Sequence, residues 1–223
     1  MRLTASLLAL ALLAAPALSA DKGPNAQTSG AKPAESNARL VFLAAELEDL
    51  GRAQKDPLLL INAARLYLKA IGQETKLAGD HTGGEGDKVA NGKIATVRDL
   101  MDLAAQLAKG DPTVTALIDQ TKVVTVKGNS GGAKFVRDSV PSKGQVTYKL
   151  EFYSQEFAET TVRGDGAGDL DLIVSDENGN VICQSQGNRE REYCGWFPRW
   201  KGQFKISVKN QGSGPSNFRL YTN

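Results

Sequence analysis

The stretch that most constrains the fold runs from Gly164 to Cys183 and reads GDGAGDLDLIVSDENGNVIC. Leu170, Leu172 and Val174 stand at every second position, which is the period of a strand with a buried face. The Asn-Gly pair that follows contains residue types that tolerate the positive φ of a tight turn. A short apolar run, VIC, comes after the turn. The stretch therefore predicts a β-hairpin with acidic residues at one end.

The hairpin belongs to a C-terminal region, residues 128–223, made of short alternating runs between turn residues. Besides the hairpin, strands are predicted at 134–140, 145–152, 159–164, 193–197, 204–210 and 218–222. No helical period separates them, so we expect an antiparallel, jelly-roll-like β-sandwich. Phe204, Ile206 and Val208 are expected to face its core. The run KVVTVK at 122–127, just before this region, is also β-prone.

Residues 36–121 instead repeat apolar side chains at helical spacing. Leucines at 40, 43, 47 and 50 predict a first amphipathic helix. Asp-Pro pairs at 56–57 and 111–112 combine an N-cap with proline at the first helical position, and they predict the starts of a second and a fourth helix. An apolar stripe at 97–107 predicts the third. The sequence thus indicates an α+β chain of two modules, a small antiparallel helical bundle and a sandwich, and glycines at 72–92 predict a mobile linker inside the helical module.

The first residues have the order of a secretory signal peptide, because a short apolar run follows Arg2 and gives way to small residues. The run is shorter than the roughly 20 residues that a membrane span needs. Cleavage after Ser19 and cleavage after Ala20 both fit. Residues 1–20 are therefore predicted to be removed, and 21–35, rich in Gly, Pro and Ala, to form a flexible tether. The mature protein is expected in the periplasm or outside the cell, without a further transmembrane segment.

Charge and cysteine content restrict the partners. The formal net charge of +2 includes the arginine of the predicted leader, whereas a nucleic-acid-binding domain carries a strong basic excess, so no nucleic-acid partner is expected. Cys183 and Cys194 are the two cysteines. An even number in an exported chain predicts one disulfide. A metal-binding thiol pair is the alternative, but the single histidine, His81, is far away in sequence.

The hairpin motif, followed by CGWFPRWKGQFKISVKN and the terminal run FRLYTN, resembles the prepeptidase C-terminal domain of bacterial secreted proteins over residues 139–223. The resemblance implies a non-catalytic, jelly-roll-like sandwich that accompanies other domains, often hydrolases, and that in some members binds calcium or extracellular polymers. Two features depart from the family. Relatives often have further aspartates where this chain has Gln184 to Asn188, and helices rather than a protease domain precede the sandwich.

Calcium is the first candidate ligand of the sandwich. Asp165, Asp169, Asp171 and Asp176 surround the hairpin, and carboxylate oxygens are ligands that Ca²⁺ prefers. The alternative is that these acids form turns and solvated strand ends, as Asp commonly does. Ala167 stands where a calcium-binding loop would need an oxygen, which favours the structural role.

An extracellular polymer is the second candidate. Trp196 and Trp200 lie in the basic, aromatic run CGWFPRWK, and exposed tryptophan rings stack on sugars and peptides. However, this strand is apolar on both faces, so a core position is favoured for Trp196. Trp200, just past Pro198, is the tryptophan expected to be exposed.

Catalysis has little support, because no nucleophile elbow, Walker loop or zinc-protease motif is present. His81 lies in the predicted linker, where it would not be held as a base. The sequence therefore predicts a non-catalytic exported bacterial protein that binds a protein partner, or itself, through its helical module. A calcium- or polysaccharide-binding module is the alternative. A hydrolase, or an accessory to one, is a remote alternative that requires an ordered His81 beside Asp or Ser.

Overall fold

A computed structural model describes residues 23–27, 35–85, 92–124 and 131–223. The helices are α1 (Asn37–Gln54), α2 (Pro57–Ala70), α3 (Val97–Ala108) and α4 (Pro112–Val124). The strands are β1 (Ile71–Glu74), β2 (Asp80–Glu85), β3 (Ala133–Val140), β4 (Ser142–Phe152), β5 (Ala158–Gly164), β6 (Leu170–Ser175), β7 (Val181–Ser185), β8 (Arg191–Trp196), β9 (Gly202–Asn210) and β10 (Ser216–Thr222). The predicted α+β class is confirmed. The predicted signal peptide lies outside the described residues, and no described helix is long and apolar enough to cross a bilayer.

Two of the helices begin at the predicted caps. Asp56 Oδ1 accepts hydrogen bonds from the backbone N–H groups of Leu58 and Leu59 at 2.8 and 3.2 Å. At the start of α4, Asp111 accepts in the same way from the backbone N–H groups of Thr113 and Val114. Each carboxylate satisfies donors that the first turn of a helix leaves without partners. The two Asp-Pro pairs are therefore true helix starts.

The sandwich consists of two five-stranded sheets with strand orders β1-β3-β10-β5-β8 and β2-β4-β9-β6-β7. Neighbouring strands are antiparallel, apart from the parallel pair of β1 and β3. Phe204, Ile206 and Val208 are fully buried between the sheets, as predicted. The β6–β7 hairpin also forms as predicted, and Gly179 in its turn has φ of +87°.

The helices cover the outer face of the first sheet. Their core includes Ala133, Phe135 and Tyr221, which come from β3 and β10. The next residue of β3, Val136, belongs to the sandwich core instead, because successive side chains of a strand point to opposite faces. The first sheet is thus covered on both faces, by the helices on one side and by the second sheet on the other.

The glycine-rich segment is not irregular throughout, which corrects the prediction of a mobile linker over 72–92. β1 pairs with β3 and β2 pairs with β4, so the segment adds an edge strand to each sheet. Glycine serves close packing here, since a Cβ placed on Gly79 would lie 2.4 Å from Val146 Cγ2. Pairing at an edge uses backbone groups, so it requires no apolar alternation. Residues 86–91 lie outside the described part of the chain.

Two further predictions are corrected. The described part of the β-prone run 122–127 ends α4, because the helix continues to Val124. In the predicted tether, Gly23 to Gln27 is docked on the sandwich: Gln27 N donates to Phe197 O at 2.8 Å, and Asn25 is fully buried. Most of the remaining tether lies outside the described residues. The segment is held by a backbone hydrogen bond to a residue far away in sequence, and composition alone does not predict such a contact.

Candidate functional site

A cleft of about 500 Å³ lies between α1 and the loop after β5, and a buried charge cluster forms its wall. Glu48 and Arg163 are both buried and form an ion pair. Arg52 Nε and the Tyr67 hydroxyl each donate to Glu48, both at 3.1 Å and to different carboxylate oxygens. The Arg163 guanidinium also lies 4.6 Å from the centre of the Tyr67 ring. The charged groups of this cluster are therefore satisfied within the protein.

The electrostatics of the cluster hold Tyr67 neutral and Arg163 charged. Burial raises the pKa of Tyr67 well above its usual value, and Arg163 opposes this rise while Glu48 adds to it. Burial disfavours the charged form of Arg163, but the nearby Tyr67 and Glu48 outweigh it, so the pKa of Arg163 is raised. A neutral tyrosine and a charged arginine do not exchange protons at neutral pH. The cluster fits a structural role better than acid–base catalysis.

The opposite wall of the cleft is a carboxylate that organises a loop. Glu190 accepts hydrogen bonds from the N–H groups of Gly166 and Gly168 and from the Ser216 hydroxyl. Burial raises the pKa of Glu190, and the nearby Asp165 adds to the rise against the effect of these hydrogen bonds. The acid is thus used to hold the loop between β5 and β6.

The structure disperses the four predicted calcium ligands. Asp165 holds Asn217, accepting from its backbone and side-chain nitrogens at 3.1 and 3.0 Å. Asp176 lies at the hairpin turn, where it accepts from Asn180 Nδ2 at 2.9 Å. Burial disfavours the charged form of Asp176, but hydrogen bonds from its own turn and from Asn25 lower its pKa. Both aspartates therefore have protein donors as partners.

The other two aspartates, Asp169 and Asp171, lie near a third acid, Glu192, which the sequence analysis missed. Asp171 Oδ2 accepts from Gln211 Nε2 at 3.0 Å, whereas Asp169 Oδ1 is buried without a hydrogen-bond partner among the described residues. Glu192 of β8 lies near both aspartates. Burial raises the pKa of Glu192, a hydrogen bond from Ser185 opposes this rise, and the negative charges of the two aspartates add to it. Within the described ranges, no group of three or more His, Cys, Asp or Glu side chains is placed to hold a metal. Calcium binding stays a prediction.

The predicted disulfide forms between Cys183 and Cys194, whose Cα atoms are 5.9 Å apart. β7 and β8 are edge strands of different sheets, so the bond joins the two sheets at one side of the sandwich. The cysteine pairing predicted the proximity of β7 to β8, and this is the signal that could have placed Glu192 near the acidic hairpin.

Neither of the two tryptophans considered as ligand-binding residues presents a fully exposed ring. Trp196 is 5% exposed and packs edge-on against Phe152 with ring centres 4.9 Å apart, so it is a core residue and not a ligand platform. Trp200 is half-buried: its Nε1 donates to Glu177 Oε1 at 2.6 Å, and the Arg199 guanidinium lies 5.7 Å from its ring centre. The core position favoured for Trp196 is confirmed, whereas Trp200, which was expected to be exposed, is half-buried.

The aromatic rings with open surface lie nearby, in the turn between β4 and β5 and next to the run after β8. Tyr153 is 53% exposed, and Phe157 packs on Phe197 with ring centres 5.0 Å apart. We call this surface the aromatic end; it includes a cleft of about 200 Å³ lined by Glu151, Phe152, Tyr153, Glu156, Phe157, Ala158 and Asn223. The flanking residue Gln155 has φ of +65°, a backbone state that costs energy in residues other than glycine and that clusters at functional loops. The run FYSQEF could have indicated the site.

His81 is held more firmly than a linker residue would be. It lies on β2 and is half-exposed, and its Nε2 is 3.2 Å from Asp138 Oδ2. The same oxygen accepts a hydrogen bond from the Tyr148 hydroxyl at 2.6 Å. A hydrolytic site of the serine or cysteine type needs a nucleophile within hydrogen-bond reach of the histidine. Asp138 thus meets the condition that the hydrolase alternative required, an ordered His81 beside Asp or Ser, but the described contacts of His81 include no such nucleophile.

No family model matches this chain, and neither does any curated protein. Similar solved structures include a periplasmic lysozyme inhibitor of g-type lysozyme from Aeromonas hydrophila, at 15% identity and a TM-score of 0.31, which covers 44% of this chain and 93% of the inhibitor. The pre-peptidase C-terminal domain of a Bacillus anthracis collagenase is similar at 14% identity and a TM-score of 0.25, over 41% of this chain and 76% of that domain.

A carbohydrate-binding module of family 6 from a Zobellia galactanivorans laminarinase is similar at 14% identity and a TM-score of 0.26, over 36% of this chain and 73% of the module. Each of these likenesses covers less than half of this chain. At these TM-scores the likenesses carry no argument about the fold, the ligand or the activity of this chain.

Proposed function

We propose that this chain is an exported, non-catalytic binding module that contacts its partner through the aromatic end. The observation that carries the proposal is the exposed ring of Tyr153 beside a small cleft of mixed aromatic and polar lining. Aromatic side chains are the residues that most often anchor binding surfaces, and concave sites with a few polar groups are where ligands bind.

The contrast with the larger cleft supports this choice. There the buried groups, Glu48 and Arg163 above all, form contacts that link the helices to the sheet. At the aromatic end, Glu156 is exposed, and so is about half of Tyr153, whose ring also contacts Lys201. Groups that are already satisfied stabilise a fold, whereas exposed aromatic and charged groups remain available to a partner.

The helical module is a weaker candidate for the contact, although the sequence favoured it. The apolar residues of α1 to α4 pack against one another and against the first sheet. Among the large apolar residues of the helices, Leu50 and Leu58 are the exposed ones in the described part of the chain, at 44% and 45%. Two isolated leucines are ordinary for a soluble surface and indicate no docking face.

Export is supported by the disulfide, which persists in oxidising compartments, and by the signal-peptide pattern of residues 1–20. Both the periplasm and the extracellular space fit. Assignment of the sandwich to the prepeptidase C-terminal group is part of the proposal, and the Asp-Leu-Asp-Leu hairpin of β6 and β7 supports it.

The test is hydrogen–deuterium exchange of the purified chain mixed with solubilised envelope proteins of the producing cell, and separately with insoluble extracellular polysaccharides. We expect slower exchange in 151–158 and 196–201 in one of the mixtures, and no change in 92–95 and 163–168 around the larger cleft. Tyr153→Ala should remove the protection. Protection around the larger cleft, or release of cleaved polymer or peptide by the purified chain, would overturn the proposal.

A further inference from the structure

The aromatic end already contains one bound cation, which comes from the chain itself. Lys201 Nζ lies 4.9 Å from the centre of the Tyr153 ring and 3.0 Å from Glu151 Oε1. The ring attracts the ammonium through its quadrupole, and the carboxylate attracts it through charge. This corner of the surface therefore has the geometry of an aromatic–carboxylate cation site.

A second pair of the same chemical types lines the adjoining cleft. Phe157 is half-buried against Phe197 and presents a ring, and Glu156 is exposed. Among the described residues, Glu156 has neither a hydrogen bond nor an ion pair, in contrast to Glu151. The cleft therefore combines an aromatic wall with an uncompensated carboxylate.

We propose that this cleft binds the ammonium or guanidinium group of a lysine or arginine side chain on a basic partner protein. The inference rests on the proposed binding function of the aromatic end. Two carboxylates line the cleft, and Glu151 is already paired with Lys201. Of these two, Glu156 is the unpaired charge among the described residues, so a cation is the complementary ligand. The volume of about 200 Å³ is below the roughly 300 to 1,000 Å³ of small-molecule pockets, which suits one side chain rather than a whole ligand.

A neutral sugar fits these observations less well, because its hydroxyl groups can donate hydrogen bonds to Glu156 but carry no positive charge to neutralise the carboxylate. An amino sugar shares the cationic chemistry and is therefore the competing source. The experiment must distinguish a protein side chain from an amino sugar and must separate this cleft from general attraction to acidic surface.

The probe is a fluorescently labelled decalysine peptide, titrated into the full chain at low ionic strength and followed by anisotropy. We expect binding to weaken about 3- to 5-fold in Glu156→Gln and at least about 10-fold in Glu156→Lys, magnitudes that correspond to loss and reversal of one partly exposed charge pair. The matched controls are Glu46→Gln and Glu46→Lys, because Glu46 is an exposed glutamate on α1. These controls should bind like the unaltered chain. A decaglutamate peptide should not bind.

Equal effects of the Glu156 and Glu46 variants would overturn the proposal, since they would show attraction to charge in general. Binding of chitosan oligosaccharides without binding of decalysine would also overturn it, in favour of an amino sugar. The Glu156 side chain is exposed, so matching thermal melts are expected for all four variants. If exchange protection is seen at the aromatic end while decalysine fails to bind, the cation proposal falls and the proposed function stands.

Discussion

Asn25 is a fully buried polar residue that connects the first described segment to two loops of the sandwich. Its Oδ1 accepts from the N–H groups of Arg199 and Trp200 at 2.9 and 3.0 Å, and its own N–H donates to Asp176 Oδ2 at 3.0 Å. Its Nδ2 donates to Trp200 O at 3.1 Å. A buried amide with all these partners specifies one conformation, because any other conformation would leave buried donors and acceptors without hydrogen bonds, at a cost in desolvation energy.

Asn25→Ala should therefore lower the free energy of unfolding by about 3 kcal/mol, since it removes the partners of several buried backbone groups at once. Urea unfolding measures this loss, and limited proteolysis should become faster within 23–27. Asn188→Ala is the matched control, because Asn188 is exposed and surface changes stay within about 0.5 kcal/mol. Equal unfolding midpoints for the two variants would contradict the role assigned to Asn25.

Asp169 provides the sharpest test of the calcium prediction. Its Oδ1 is buried without a hydrogen-bond partner in the part of the chain that the structure describes, next to the acids Asp171 and Glu192. If calcium binds here, millimolar calcium should raise the melting temperature and Asp169→Asn should remove that rise. Without calcium, Asp169→Asn should raise the melting temperature by a few degrees, because it removes repulsion between like charges. Asp102→Asn, on an exposed position of α3, is the control; a melt unchanged by calcium would end the prediction.

At the scale of the element, α3 begins with a reciprocal cap that local sequence encodes. Asp99 accepts from the backbone and hydroxyl of Thr96, both at 2.7 Å, and Asp99 N donates back to Thr96 Oγ1 at 3.2 Å. The hydrogen bonds from Thr96, followed by Lys93, lower the pKa of Asp99 to about 2 from 3.8. The stability that comes from ionised Asp99 is thus present above pH 3.8 and is lost as the pH falls through about 2.

Thr96→Ala should return the pKa of Asp99 toward 3.8 and should destabilise the protein by about 1 kcal/mol at neutral pH through loss of the cap. Carboxyl carbon shifts followed by NMR from neutral pH to strong acid measure the pKa. Thr113→Ala, at an exposed position of α4, should leave it near 2. An Asp99 titration that does not change in Thr96→Ala would refute the capping explanation.

Elements differ in how far sequence predicts them. Local patterns predicted the starts of α2 and α4, from Asp-Pro pairs, and the strands β6 and β9, from alternating apolar residues. These signals involve residues within a few positions of one another, so the sequence was enough to predict the elements. β1 and β2 are edge strands that join their sheets through backbone pairing. Strand propensity does not predict them, because both contain glycine, which has a low strand propensity. The end of α4 shows the reverse case, in which a β-prone run continues a helix.

At the scale of the whole molecule, α1 is attached to the first sheet at two places. Glu159 of β5 accepts from Ala38 N at 3.2 Å and from the Ser36 hydroxyl, and thus supplies a cap from a distant strand. Ten residues later along the helix, Glu48 pairs with Arg163 of the same strand. Together with the apolar core of Phe135 and Tyr221, these contacts couple the helices to the sandwich.

Arg163→Met should lower the free energy of unfolding by about 3 kcal/mol, because it removes the buried cationic partner of Glu48 and leaves only the partly exposed Arg52 to pair with it. Glu48→Gln combined with Arg163→Met should recover part of the loss, and Arg98→Met, at an exposed position of α3, should have little effect. In the unaltered chain, helical circular dichroism and tryptophan fluorescence should report a single transition. Separate transitions would show that the helices and the sandwich are independent domains.

The candidate site could be predicted only in part. Sequence directed attention to the aromatic run around Trp200, whereas the structure places the exposed ring of Tyr153 and the half-buried ring of Phe157 on the turn between β4 and β5. The position of β5, adjacent to β8 in the first sheet, brings this turn next to Phe197. The acidic hairpin was foreseen as a cluster, but hydrogen bonding gave Asp165 and Asp176 separate roles in holding loops.

Sequence alone determined the α+β class, the Asp-Pro starts of α2 and α4, most strands and the disulfide, because alternation, capping and cysteine pairing are largely short-range signals. The tertiary structure decided that the helices cover one sheet, that Asn25 is buried, and that Tyr153 and Glu156 remain exposed. Burial depends on which faces meet after the chain has folded. Faces that meet across more than a hundred residues, as Glu48 meets Arg163, leave no local pattern in the sequence.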